Sequence, residues 1–233
     1  MSDYQPGYQA PPPPPGYGGP GGFGGPAPYA APADAVPAAS DPDYPVTAGL
    51  NAPLKVARWR VIGNPIMAIP HVIFLYILNI VSEVLTLVAW FVIVFTGRLP
   101  DGMGTFLAGI HRYQWRVLSF YLFLREPYPA FGIPSGYADP GDDPAWLQFT
   151  PPQQYSRLAV IFRIILAIPQ MLFAIVLAVA MYVAVIIGFF AVLITGAWPA
   201  GLRNFVLNVQ FWGLRFSAWY LLLADPYPPF KIG

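Results

Sequence analysis

Two long apolar runs dominate the pattern, His71–Thr96 and Gln170–Thr195. At 1.5 Å per residue, about 25 residues reach roughly 37 Å, enough to cross a ~30 Å hydrocarbon core with some tilt. A shorter stretch with basic residues on an apolar background precedes each run. It is Leu54–Ile69, with Lys55, Arg58 and Arg60, and then Tyr155–Ile168, with Arg157 and Arg163. That pattern predicts a helix lying at headgroup level with its apolar side down. Pro70 and Pro169 fall where a first helical turn tolerates proline, and Gly97 and Gly196 where a helix ends. More polar helices are expected over Gly102–Leu124 and Gly201–Ala224. The expected fold is an all-α membrane protein of two tandem repeats, each an interfacial helix plus a transmembrane hairpin, four spans in all.

The chain is internally duplicated. A shift of 99 residues superposes 54–131 on 153–230 without a gap, with 24 identities over 78 pairs. They cluster at Ala68-Ile69-Pro70 with Ala167-Ile168-Pro169, at Thr96-Gly97 with Thr195-Gly196, and at Arg116 with Arg215. Both copies close on one phrase, Glu126-Pro-Tyr-Pro-Ala-Phe131 and Asp225-Pro-Tyr-Pro-Pro-Phe230. Clustered proline, glycine and arginine matches indicate duplication, because apolar composition alone produces few of them. The expected organisation is a disordered Pro/Gly/Tyr-rich tail (1–50), repeat one (51–131), a linker (132–152) and repeat two (153–233).

Composition sharpens this picture. Hydrophobic residues make up 56% of the 233 and charged residues 10%, far fewer charges than the ~25% of soluble domains. A membrane protein is therefore the expected class. Residues 1–45 hold 13 of the 29 prolines and no Lys or Arg, so disorder with local polyproline II is expected there. Pro11–Pro15 could dock an aromatic groove on a partner. Cysteine is absent, which excludes disulfides, thiolate metal sites and cysteine nucleophiles. A net charge of +1 gives no argument for nucleic acid.

The position of the basic residues predicts orientation. Seven (Lys55, Arg58, Arg60, Arg125, Arg157, Arg163, Lys231) lie on the side of the tail, linker and C-terminus, against Arg98 and Arg203 in the opposite turns. This places both termini in the cytoplasm and makes the copies parallel repeats. The order Ala68-Ile-Pro-His71, Thr96-Gly-Arg-Leu-Pro100, Trp115-Arg-Val117 and the Pro-Tyr-Pro ending resembles a bacterial, mainly actinobacterial, membrane-protein family called domain of unknown function 4389. The resemblance covers both repeats. It implies location and architecture, namely the bacterial inner membrane, and implies no activity.

Candidate chemistry is sparse. Glu83 is the one acid inside an apolar run, and ionised side chains there are usually paired or functional. Its expected depth allows a pair with Arg116; repeat two keeps Arg215 but has Tyr182 opposite Glu83. A site around Glu83, Arg116, Arg215 and Tyr182 is one expectation, and a merely structural pair another. Ala180, Ala184 and Gly188 recur every four residues, as at close helix contacts. Tyr128 and Tyr227 are expected as interface anchors beyond the helix-ending prolines. No catalytic constellation, metal set or cofactor motif is legible. The expected function is a non-catalytic accessory or scaffold subunit whose partners are the bilayer and a membrane protein or a second copy. The alternative is a small transport or lipid-handling protein with a site between the repeats.

Overall fold

The computed structural model describes residues 28–232. Pro11–Pro15 and the glycine-rich stretch before residue 26 lie outside them. The elements are β1 (Ala35–Ala39), β2 (Val46–Pro53), α1 (Arg60–Met67), α2 (Ile69–Thr96), α3 (Asp101–Tyr121), β3 (Ala145–Phe149), α4 (Arg157–Ile161), α5 (Arg163–Thr195) and α6 (Ala200–Tyr220).

The expectation of an all-helical fold is corrected. A three-stranded antiparallel sheet, order β1-β2-β3, joins the supposed tail to the linker. Val46, Ala48, Leu50 and Ala52 of β2 and Ala145, Leu147 and Phe149 of β3 are buried, the two-residue period of a half-buried strand. Its side chains are small, so the segment reads as Ala/Pro/Gly filler. Tertiary partners hold it: the Trp115 indole donates to the Gly49 carbonyl (3.2 Å). Residues 35–53 are thus ordered, and the expected tail boundary at 50 cuts through β2.

The molecule has three layers: the sheet, then α3 with α6, then α2 with α5. Ala108, Arg112, Trp115 and Ser119 line one side of α3, at the 3.6-residue period, and this side meets β2 and β3. The opposite side, Phe106, Ile110, Tyr113 and Val117, packs on Phe74, Leu75 and Leu78 of α2. Thus α3 is buried on nearly every side, and α6 repeats the arrangement between β2 and α5. Among the described residues neither α2 nor α5 packs on a strand. Two helices, α2 and α5, are long and apolar enough to cross a membrane, and most of their surface is exposed. Of the four expected spans only these two helices are candidates, since α3 and α6 place Arg112, Arg116, Arg203 and Arg215 into a protein interior.

The copies are not parallel. Trp115 of α3 meets Phe211 of α6, and His111 meets Leu214 and Ser217, so the numbers rise in opposite directions. The end of α3 stacks Phe123 on Trp198 before α6 (5.1 Å). The end of α6 reaches the start of repeat two beside Gly97, because Tyr155 donates its hydroxyl to the Leu222 carbonyl and its N–H to the Gly97 carbonyl. The long helices α2 and α5, each antiparallel to its own hairpin partner, therefore run antiparallel to one another. The repeats are related by a pseudo-two-fold, visible atom by atom. Val56 N–H donates to the Gly196 carbonyl and Tyr155 N–H to that of Gly97, both at 2.9 Å; these are equivalent bonds, 99 residues apart. Gly97 (φ 75°) and Gly196 (φ 77°) take the left-handed cap, where a Cβ would add strain.

Candidate functional site

The charged residues of the inter-repeat linker are drawn into a buried cluster under the sheet. Arg112, fully buried, donates Nε to the Leu147 carbonyl (2.8 Å). Its Nη atoms reach the carbonyls of Pro134, Gly136, Tyr137 and Ala138, and Asp139 lies 3.1 Å away. Arg116 holds Asp142 at 2.6 Å and Asp139 at 3.5 Å. Arg125 pairs with Asp143 and donates to the Arg116 carbonyl (3.0 Å). Burial pulls the guanidinium pKa values of Arg112 and Arg125 down, and Asp139 and Asp143 hold them up. On the other edge of the sheet, Arg203 donates to the carbonyls of Val36 and Ala52 (both 3.1 Å). Arginines from α3 and α6 thus occupy one carbonyl on each of β1, β2 and β3.

The expected Glu83–Arg116 pair is not formed. Glu83 lies exposed on the outer layer, whereas Arg116 is committed to Asp139 and Asp142 below the sheet. The two arms of α3 that face α2 and the sheet are about 160° apart on the helix wheel. Tyr182, opposite Glu83 in repeat two, is 69% exposed. Arg215 is buried, but its guanidinium has no hydrogen-bond partner among the described residues. Burial lowers its pKa, and Asp41 and Tyr44 raise it. The four residues therefore make no common site.

A polar chain absent from the sequence reading crosses the repeat boundary. Asn79 of α2 accepts from Gln114 of α3, His111 bonds Gln114 (3.0 Å), and Ser217 of α6 bonds His111 (3.0 Å). Repeat two has Ala178, Gly213 and Gln210 at the equivalent positions, so the chain exists once. Its sequence signal is the exchange of Asn79 and Gln114 for the small residues Ala178 and Gly213 between copies.

The repeated phrase is a clamp. Glu126 Oε1 accepts from Ala57 N–H (2.7 Å) and Asp225 Oδ2 from Ser156 N–H (3.2 Å). The Tyr128 hydroxyl donates to the Met67 carbonyl (3.4 Å) and that of Tyr227 to Leu166 (3.1 Å). Asn64 donates to the carbonyls of Phe120 and Arg125. Its equivalent Arg163 donates to those of Trp219 and Ala224 and pairs with Asp225 at 3.1 Å. Each phrase ties the exit of a second helix to the entry of the same repeat. The tyrosines expected as interface anchors thus spend their hydroxyls on backbone.

Of the small-residue stripe, Ala184 and Gly188 are buried and Ala180 is exposed. A Cβ on Gly188 would stand 2.2 Å from the Trp198 ring, so this contact lies within the chain. The exposed apolar surface belongs to the long helices instead, with Tyr76, Leu87 and Phe95 on α2 and Leu172, Val176 and Ile194 on α5. Among the described residues no three His, Cys, Asp or Glu side chains group as a metal site.

These features define a duplicated, mostly helical protein with a small sheet and two helices apolar enough for a membrane. The chain belongs to the family described as Domain of unknown function (DUF4389), whose model matches residues 59–132 and 157–231, one match per repeat and more than half of the chain. No curated protein and no solved structure matches it.

Proposed function

We propose that this is a non-catalytic, membrane-attached accessory or scaffold protein of a bacterial plasma membrane. Its termini and linker would face the cytoplasm, and its platform would serve a membrane-protein partner or a second copy of the chain. One observation carries the reading. The large apolar side chains of α2 and α5 are bare on the side away from the sheet, while the sheet side carries Asp139, Asp142 and Asp143. Water on one side and lipid on the other suit that division, since contiguous apolar surface of this extent marks a membrane or partner site. No observation favours the lipid-handling or transport reading, because Glu83, Arg116 and Arg215 are apart. The test is fractionation of the full chain. It should remain with membranes through a high-salt wash and be released by detergent. The paired substitutions Ile80→Lys and Val179→Lys, at equivalent bare positions, should move it to the soluble fraction. Recovery of wild type in the soluble fraction would overturn the reading.

A further inference from the structure

We propose that α2 and α5 do not cross the membrane but lie in its plane, embedded antiparallel in one leaflet, with the sheet facing water. This deepens the membrane reading and rests on it.

Three observations carry the inference. The first is the layer order. The sheet lies alongside α3 and α6, which run antiparallel to α2 and α5 respectively, so strands and helices share one slab. If α2 and α5 stood upright, the sheet would stand at bilayer depth with them. Strand edges and the carboxylates of Asp41, Asp43 and Asp142 would then meet hydrocarbon. Lipid-exposed sheet edges do not occur there, since nothing satisfies their N–H and C=O groups. Laid flat, the same slab puts the bare faces of α2 and α5 in lipid and the sheet in water.

The second is the symmetry of charge. Exposed cations stand at both ends of the helix layer. Arg157 lies near Gly97 at the end of α2, and Arg58 near Gly196 at the end of α5. These are equivalent residues exchanged between repeats. Arg98 joins the first end and Lys55 the second. An upright protein with biased loops would gather its cations at one end. Helices lying in one leaflet bring both ends to the same headgroups, and cations at both ends suit anionic lipid. The same residues sit at helix C-termini, where positive charge is favoured.

The third is the entry helices. α1 exposes Ile62 and Ile66, with Trp59 beside it; α4 exposes Leu158 and Ile161, followed by Phe162. They extend the apolar surface at both ends, beside those cations. Apolar residues below and basic residues at the rim is the pattern of a helix in the interface.

The absence of cysteine makes the test direct. Lys55→Cys and Gln154→Cys are equivalent exposed positions at the two ends of the helix layer. Each single-cysteine protein is expressed in full length. Right-side-out and inverted membrane vesicles are then treated with a membrane-impermeant maleimide. The in-plane arrangement predicts that both positions react in the same vesicle type and that neither reacts in the other before detergent is added. Reaction of one position in each type means that the helices cross, and it overturns the inference while leaving membrane attachment intact. Recovery in the supernatant as a discrete dimer means that a second copy covers the apolar face, and it overturns both. A bimane on Ile80→Cys adds a depth measurement. Lipids brominated at carbons 6 and 7 should quench it more than lipids brominated at carbons 11 and 12; the reverse order contradicts the in-plane arrangement.

Discussion

At the scale of the residue, equivalent positions have come to different uses. Arg116 and Arg215 are aligned and buried alike, but of the two only Arg116 forms ion pairs among the described residues. Removing one partner of a buried pair strands the other charge, which costs about 3–5 kcal/mol. Arg116→Met should therefore lower stability by about 3 kcal/mol, whereas Arg215→Met should be near neutral or stabilising, since an unpartnered buried cation is lost. Denaturant titration of both proteins in detergent compares them, and equal losses would contradict the account. Gly188 is a steric case. The Trp198 ring fills the place of its side chain, so Gly188→Ala should cost roughly 1–3 kcal/mol through overpacking. Ala180→Leu, on exposed surface, should cost little, and thermal unfolding of the two variants reports the difference. Phe123 (φ 44°) and Leu222 (φ 63°) occupy the left-handed position of a Schellman turn. That position favours glycine, by about 1 kcal/mol or more. Burial keeps the apolar residues there: Phe123 stacks on Trp198 and Leu222 joins Ala89 and Ile93.

At the scale of the element, the repeated phrase explains why each second helix stops and where it is fastened. Its prolines end the helical pattern, and its acid and tyrosine then bond backbone groups at the start of the same repeat. Asp225→Ala removes both the Arg163 pair and the Ser156 bond, so it should destabilise more than Tyr227→Phe, which loses one half-exposed hydrogen bond worth about 1 kcal/mol. Hydrogen exchange at the start of α4 and α5 should rise in Asp225→Ala and hardly change in Tyr227→Phe. Faster exchange in Tyr227→Phe than in Asp225→Ala would place the fastening on the tyrosine instead. The strands depend on neighbouring elements in another way. Ala, Gly and Pro give β1 and β2 little intrinsic strand preference, and Arg203 bonds one carbonyl on each from α6 beneath. Arg203→Met should loosen β1 before it affects α6, which amide exchange along residues 35–39 would detect; unchanged exchange there would assign the strand's order to the sheet ladder alone.

At the scale of the whole molecule, duplication produced an antiparallel pair of hairpins that exchange contacts. The segment that leads into each copy bonds the other copy's helix cap. Neither hairpin covers its own ends, so an isolated repeat lacks partners for Gly97 or Gly196. Residues 153–233 expressed alone should therefore form no monomeric fold with the native thermal transition, and should recover it only by pairing with a second copy or with residues 28–152. A cooperative monomer with native stability would show that the exchanged contacts are dispensable. The single sheet breaks the symmetry: it covers one side of α3 and α6 and leaves the other side to α2 and α5.

The sequence by itself determined the two apolar helices, their proline entries and glycine ends, the duplication and the family, because these depend on local periodicity, on backbone preference and on order along the chain. It misplaced the Glu83 pairing because depth along a helix says nothing about which side of a neighbour a residue faces. It read the copies as parallel because charge counts assume helices standing upright in a bilayer. Only the tertiary structure decided that the hairpins run antiparallel, that the linker aspartates belong to Arg116 and Arg125, and that alanine-rich text becomes strand. Each of these depends on contacts between residues far apart in the chain. An Ala/Gly/Pro segment has too little preference of its own to declare a conformation until Trp115, Arg203 and β3 supply its partners.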